Sequence, residues 1–413
     1  MDEKDMLFIE EAPSIEEAGN LLDLLAYDDI DVGSDTDNVK LGYTKSDLVD
    51  IDELHISIPT KEVSRILGIS SQISSGGESS FEGKVLAIKI DDSGARFLLS
   101  DNKRHIERYV DIINTEKRFK GFLAFNSSLI NRIVKVCSSV FTIIEREVDG
   151  ELKYSLKILG GEIALDNIKI DEGKFNRKIE CKDGKEYNKG CIIDSVKRLY
   201  TFASSSIKFG RSIDFLGKTV QASPINSLAK IDIEESLPNF KLPLIDVKIL
   251  SGLCSMDTSS KVTISKSGDT FIGEKFKFKT ESFPASESSV DSVAERMFDF
   301  DSVSVDATHL SQINELAYGL DSSTGNVRFN YKDGFVSCEI VSKRDNSKII
   351  LKGEKNDTIK PLEADVEVSS VSIRGALSVF SGIKEIDFKI CPDGVALMSG
   401  DIRVAILGTY LKK

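Results

Sequence analysis

The sequence predicts an α+β fold of three tandem domains, each made of two helix-plus-antiparallel-strands units with the helices on one face of the sheets. Three observations predict it. Six stretches carry apolar residues at spacings of three and four, strand-like alternation follows each of them, and successive units begin about sixty residues apart.

The helical stretches are 60–74, 127–139, 189–203, 244–256, 306–320 and 370–382. Each has the single apolar stripe that lets a helix lie on a sheet. Thr60, Ser127, Asp306 and Ser370 stand where an N-cap is expected. Strand patterns follow at 84–90, 95–99 and 106–113, then at 140–147, 152–158 and 162–170. Later units show them at 326–331, 335–341, 385–390 and 395–398. Turn residues punctuate these runs: Asp92-Ser93-Gly94, Asp149-Gly150, Gly160-Gly161, Lys332-Asp333-Gly334 and Pro392-Asp393-Gly394. Extended lead-in segments begin near Leu54, Phe119, Lys178, Leu237, Phe298 and Glu363.

A helix with one apolar stripe and a sheet with one apolar face must bury each other, so two adjacent units make a two-layer domain of about 120 residues. The expected domains are 52–173, 174–290 and 291–413, with linkers at 171–174 and at the Ser/Glu-rich 285–295. Residues 1–51 match none of the units and are strongly acidic. They read either as an acidic arm or as a short helix over 15–30, where Leu21, Leu22, Leu24, Leu25 and Tyr27 share a face. Asp29-Ile30-Asp31 is no calcium loop, because Ser34 and Lys40 stand where Gly and Glu are required.

Composition narrows the function. The chain of 413 residues is 40 % hydrophobic and 29 % charged, ordinary for a soluble protein. No apolar run approaches the roughly 20 residues that span a bilayer. Acids stand at the N-terminus where a signal peptide needs bases, so a cytoplasmic protein is expected. Six scattered cysteines form no C-x-x-C pair and read as lone buried thiols, and three distant histidines show no ligand spacing. No metal or cofactor is therefore expected. Gly217-Lys218-Thr219 lacks the earlier glycine of a phosphate loop, since Ser212 stands there, and reads as a hairpin turn. Neither a G-x-S-x-G elbow nor an H-E-x-x-H pair occurs, so no catalytic residue is assigned and no enzyme is expected.

The six-unit order resembles the DNA polymerase sliding clamps, the three-domain bacterial (beta) type and its phage relatives, over about 52–413 as architecture. The end of the chain is the best local match. A helix at 370–380 and a hairpin about Pro392-Asp393-Gly394 lead to a last strand, 403–408, that runs out at Tyr410-Leu411. The Met-Pro-Met-type tail of the bacterial clamps is absent. The resemblance implies a ring-shaped homodimer, closed head to tail, that encircles duplex DNA without sequence preference. Helices would line the hole, and a polymerase and clamp loader would bind through a hydrophobic peptide. It implies a cytoplasmic setting in a bacterial or phage-infected cell, with no membrane partner. A structural protein of tandem α+β modules with no DNA role is the alternative reading.

Charge fits the resemblance in part. The chain carries −13, yet the six helical stretches together carry +4, which leaves −17 for the remainder and an acidic exterior as the expectation. The expected DNA-facing residues are Lys61, Arg65, Arg132, Lys135, Lys197, Arg198, Lys248 and Arg374. The fifth stretch, with Asp306 and Glu315, runs against this trend. By position in the resemblance, Leu407, Tyr410 and Leu411 border the partner-binding groove.

Overall fold

The computed structural model describes residues 54–75, 82–91, 94–113, 121–204, 211–224, 226–286, 289–320, 326–332, 335–341, 346–350 and 365–411. The chain divides into two units after Asp52. Residues 1–51, and the expected turn positions Asp92, Ser93, Asp333 and Gly334, lie outside the described residues.

From Leu54 onward a strand–helix–strands order repeats six times, two units to a module. The first unit is β1 (Leu54–Pro59), α1 (Thr60–Ser75), β2 (Val85–Asp91), β3 (Gly94–Ser100) and β4 (His105–Val110). Its sibling is β5 (Gly121–Asn126), α2 (Ser127–Ile133), β6 (Val140–Val148), β7 (Glu151–Ile158) and β8 (Gly161–Leu165). A single-turn helix, α3 (Glu172–Phe175), leads to the second module. There β9 (Lys185–Asn188), α4 (Lys189–Ser204), β10 (Ser212–Leu216), β11 (Thr219–Ala222) and β12 (Ser227–Asp232) form one unit. Its sibling is β13 (Phe240–Pro243), α5 (Leu244–Met256), β14 (Lys261–Ile264), β15 (Thr270–Ile272) and β16 (Phe276–Lys279). Helix α6 (Asp291–Phe298) precedes the third module. Its first unit is β17 (Val303–Asp306), α7 (Ala307–Leu320), β18 (Asn326–Lys332), β19 (Phe335–Val341) and β20 (Asn346–Ile350). The last unit is β21 (Asp365–Ser369), α8 (Ser370–Val379), β22 (Glu385–Cys391), β23 (Gly394–Ser399) and β24 (Ile402–Leu407), and the chain closes on β25 (Thr409–Leu411).

Units within a module trade their first strands. β1 pairs with β6 of the sibling unit and β5 pairs with β2; β9 pairs with β14 and β13 with β10; β17 pairs with β22 and β21 with β18. A three-stranded meander alone leaves two edges open, and the sibling's strand covers one of them. The exchange is pinned at the helix starts by one hydrogen bond repeated in all three modules. The N–H of Thr60 donates to the Ser139 carbonyl at 3.0 Å, that of Lys189 to Ser260 at 2.9 Å, and that of Ala307 to Lys384 at 2.9 Å. Each joins the start of a module's first helix to the segment after its second.

Modules are joined by the last strands of their units. β4 pairs with β16 and β12 pairs with β24, giving two eight-stranded sheets that cross module boundaries, beside sheets of four and five strands. The long helices pack side by side in the order α2, α1, α5, α4, α8, α7. One apolar core lies between this helical layer and the sheets and runs through all three modules, from Ile56 and Val63 through Leu199 and Leu253 to Ile373 and Ile406. The hairpin residues anticipated from the sequence do their turns: Asp149 (φ +57°) and Gly150 (φ +78°) close β6–β7 in the mirror-image geometry that suits strand twist. At Gly394 (φ +152°) a Cβ would lie 2.0 Å from the Ile406 carbonyl oxygen, so no other residue fits there.

Several expectations are corrected. The segment 285–295 is not an open linker, because Asp291–Phe298 forms α6 and buries Ala294, Met297 and Phe298 on the sheet face opposite the helical layer. The stretch 171–174 likewise curls into α3 and seats Phe175 against Val85, Ala87, Leu98 and Ala124. Strand β9 begins at Lys185 rather than near Lys178, and β17 at Val303 rather than Phe298, which α6 occupies. The second helix ends at Ile133 and tightens into a 3₁₀ turn over Val134–Val136. Its cap is Asn126, whose side chain accepts from the Leu129 N–H at 3.1 Å, while the Ser127 hydroxyl donates to Lys84. Asp306 does cap, accepting from the Thr308 N–H at 2.7 Å. The Thr60 hydroxyl instead donates to the Ser138 carbonyl, and Ser370 is fully buried inside its helix start. All six thiols are unpaired; Cys254, Cys338 and Cys391 are buried and pushed up to about 12 by that burial, while Cys137, Cys181 and Cys191 are half-buried.

The module boundaries carry paired charges. Arg104 binds Asp246 in the first turn of α5, and Asp101 at 2.9 Å. Arg108, only 3 % exposed, donates to the Met256 carbonyl at the other end of α5 at 2.7 Å and to Glu62 of α1 at 3.2 Å. Acid at the helix start and cation at its end both complement the helix dipole. At the next boundary Lys230 and Arg403 stand directly opposite one another across β12 and β24, a repulsive arrangement. Asp291 and Glu295 of α6 neutralise Lys230 at 2.6 and 2.7 Å, and Asp232 takes Arg403 at 2.7 Å.

Two outcomes are expected from this packing. Arg108→Met strands the Met256 carbonyl and removes a partner from Glu62, so the urea midpoint should fall by an amount equal to about 2–4 kcal/mol, with the helical signal of the folded protein unchanged. His105, buried in β4, is held down at about 4 by burial and by the nearby Arg177 charge. Between pH 6.5 and 4 only the unfolded imidazole takes up a proton, so stability drops as pH falls through that window. His105→Gln should flatten the drop by on the order of 2–3 kcal/mol, read from denaturation midpoints at pH 7, 6, 5 and 4.5.

Candidate nucleic-acid interface

The helical layer is where the sequence-derived basic residues gather. Lys61 and Arg65 lie on α1, Arg132 on α2 with Lys135 in the 3₁₀ turn after it, Lys248 on α5, Lys197 and Arg198 on α4, and Arg374 on α8. These elements are neighbours in one continuous layer across the three modules. Each helix buries one stripe in the common core, as α1 does with Val63, Ile66, Leu67 and Ile73, and the opposite stripe is left for polar side chains.

The eight residues are not equivalent. Lys61, Arg132 and Lys135 are exposed and Lys197 is half-buried, and none has an ion pair among the described residues. Arg65 is half-buried beside Glu62 at 3.6 Å, within its own helix. Lys248 is half-buried and its ammonium is held below the ordinary lysine range by that burial. Arg374 is half-buried on α8.

Arg198 has a structural task. Its guanidinium donates to the carbonyls of Val379 and Ser381 at 3.1 and 3.2 Å, so it closes the C-terminal end of α8 from the neighbouring module. Sequence spacing put it on the right helix; only the packing of α4 against α8 exposes the second role. Lys189, absent from the sequence-derived set, is a similar brace, donating to the Asp257 carbonyl just past α5 at 2.6 Å.

Helix α7 remains acidic: Asp306, just before it, and Glu315 within it are both exposed, and the helix has no Lys or Arg. The acidic exterior expected from the charge count needs correcting as well. Of the −17 outside the six helical stretches, −13 belongs to Met1–Asp52, which leaves only −4 for the remainder of Glu53–Lys413.

The three C-terminal residues fall on two sides of a crossing. Leu407 ends β24 and packs, half-buried, against the apolar cluster that α6 forms with the sheet. At Gly408 the chain passes to the other sheet of the module, so close to β21 that a Cβ would meet the Glu367 carbonyl oxygen at 2.6 Å. Tyr410 and Leu411 then pair with Val366 and Asp365, Tyr410 being 39 % exposed and Leu411 half-buried. Apolar side chains are thus present on both sides of Gly408, without one continuous strand joining them.

No helix among the described residues is long and apolar enough to cross a membrane. No protein-family model and no curated protein matches the chain. Solved structures do. The DNA polymerase III beta chain of Streptococcus pneumoniae is similar at 15 % identity and TM-score 0.68, over 86 % of this chain and 99 % of that one. The DNA polymerase III subunit beta of Pseudomonas aeruginosa is similar at 13 % identity and TM-score 0.70, over 86 % and 100 %. The DNA polymerase sliding clamp of Bacillus subtilis is similar at 16 % identity and TM-score 0.68, over 86 % and 99 %. With six units trading strands in pairs and one helical layer beneath them, this chain has the fold of the DNA polymerase III beta sliding clamps.

Proposed function

We propose that the protein is a sliding clamp, a non-enzymatic processivity factor that encircles duplex DNA as a head-to-tail homodimer and tethers a polymerase to it. The observation that carries the reading is a rule in the sheet order. Each existing junction joins the last strand of a module's first unit to the last strand of the next module's second unit: β4 to β16, then β12 to β24. The same units bring their helices together, α1 beside α5 and α4 beside α8. One such pair is left over, β20 of the third module and β8 of the first, each at the edge of its sheet. Joining them between two copies repeats the junction a third time and leaves every unit's last strand paired, the closed solution for a heterologous contact.

The same operation gives the acidic helix a purpose. The ends of the helical layer are α2 and α7, so closure sets α7, with its exposed Glu315, beside the partner's basic α2, with Arg132. Away from that contact, Lys61, Lys135 and Lys197 offer sequence-independent attraction to phosphate, enough to centre a duplex and weak enough to let it slide. Tyr410 and Leu411 on β25, with Leu407 across Gly408, are the apolar side chains we assign to a hydrophobic peptide of the polymerase or of a clamp loader. On this reading the protein acts in the cytoplasm of a bacterial or phage-infected cell.

The protein should remain on a nicked circular duplex after loading and run off once that circle is cut. Equal loss from both forms would leave a tandem-module structural protein as the better reading. Lys61→Glu with Lys197→Glu should weaken association with duplex about tenfold at 0.1 M salt and reduce the slope against salt, with an unchanged dimer mass by light scattering. Charge reversal at the ends of the layer tests closure separately. Arg132→Glu should raise the dimer dissociation constant about tenfold and Glu315→Lys should restore it in the double variant. A monomeric wild-type protein at micromolar concentration would remove the ring.

A further inference from the structure

The charge of this protein is divided unevenly. Met1–Asp52 contains sixteen Asp and Glu against three Lys, a balance of −13, which is the entire formal charge of the chain. Glu53–Lys413, the unit that holds all six helix-and-strand repeats, is therefore neutral overall. A neutral body with exposed cations Lys61, Arg132 and Lys135 on one layer has no overall repulsion to keep it off the outside of DNA.

We propose that the acidic segment Met1–Asp52 is an electrostatic brake, a covalently attached counter-charge that suppresses binding of the free protein to DNA so that lasting association comes only from ring closure. The proposal rests on the clamp reading. A polyanion is repelled by net negative charge over a distance set by salt, about 30 Å at 0.01 M and about 8 Å at physiological ionic strength. The brake acts on encounter, where affinity decides the outcome. Once a ring is closed on a circle, retention no longer depends on affinity, and the same charge has little left to oppose. Like-charged blocks of this kind shape association without a folded interface, so the proposal asks for charge in this segment and nothing more.

The test uses the full chain. Glu10, Glu11, Glu16, Glu17, Asp28 and Asp29 are replaced together by their amides, moving the segment from −13 to −7. Binding of the unloaded protein to a linear duplex too short to retain a ring is measured from about 0.02 to about 0.3 M salt, over which the screening length falls from about 20 to about 6 Å. The amide variant should bind about tenfold more tightly at the lowest salt, with the gap closing to within about twofold at the highest. Its lifetime on nicked circles should match the wild type. Unchanged or weaker binding at low salt overturns the brake, and so does a gain that persists undiminished at high salt, since that gain would not be electrostatic. A wild-type protein that runs off nicked and cut circles alike sinks the clamp reading instead, while the short-duplex comparison still decides the brake.

Discussion

The reciprocal loan of first strands is the constraint on which the rest of the structure depends. A single unit has a helix with one apolar stripe and a three-stranded meander with an uncovered edge. It can satisfy neither alone. Lending β1 to the sibling's β6 and borrowing β5 for β2 closes one edge of each sheet and places both helices over one core. The lent strand leads directly into its helix, so sheet pairing also fixes where the helix starts; the repeated hydrogen bond at Thr60, Lys189 and Ala307 is the local signature of that coupling. The lent strands, β21 excepted, become edges in their turn, and the other side of each meander ends in the last strand of its unit. Two pairs of these last strands are joined within the chain, and that is why the helices of separate modules form one layer.

What could be read from the sequence follows from the range of the forces involved. Helical stripes are local, and the residues that bury α1, α5 and α8 are the ones whose spacing marks them. Turns are local too, and Asp149-Gly150, Gly217-Lys218 and Asp393-Gly394 turn where their conformational freedom says they should. Strand pairing is not local. Nothing near Leu54 says that its partner is Glu145, ninety-odd residues on, so the exchange of strands was invisible although every participating strand but a few was visible. Helix α6 was missed for a related reason. Its Ser- and Glu-rich approach looks like a linker, and only the apolar patch offered by Leu228, Cys391, Ala396 and Ala405 makes its stripe worth burying.

The candidate site divides along the same line. Sequence found the helices that share a layer and the cations they carry, because both are properties of single elements. It did not find which cations are already engaged. Arg198 closes the end of α8, and Arg65 sits beside Glu62, through contacts that packing decides. Counting charge over the whole chain also misled, since a sum has no address: of the −17 read as an outer surface, −13 belongs to the first 52 residues.

The small number of uncommitted cations bears on how such a protein would hold DNA. Lys61, Lys135, Lys197 and the half-buried Lys248 are helix-borne bases with no ion pair among the described residues, Arg132 being given to the partner's Glu315 in the proposed ring, and two copies would double the four. Each phosphate neutralised contributes about one unit to the slope of log affinity against log salt, so binding through a handful of contacts is strongly weakened as salt rises. On the proposed reading a duplex in the hole of a ring cannot touch every lining residue together, so fewer than all of these contacts form at once. Affinity of this kind would not account for lasting retention on DNA, whereas the proposed closure of β20 on a partner's β8 would, because leaving would then require opening a strand junction rather than releasing a few counter-ions. In the ring we propose, weak contact and firm retention are compatible because the link is topological, and β8 and β20 are the strand edges that would make it.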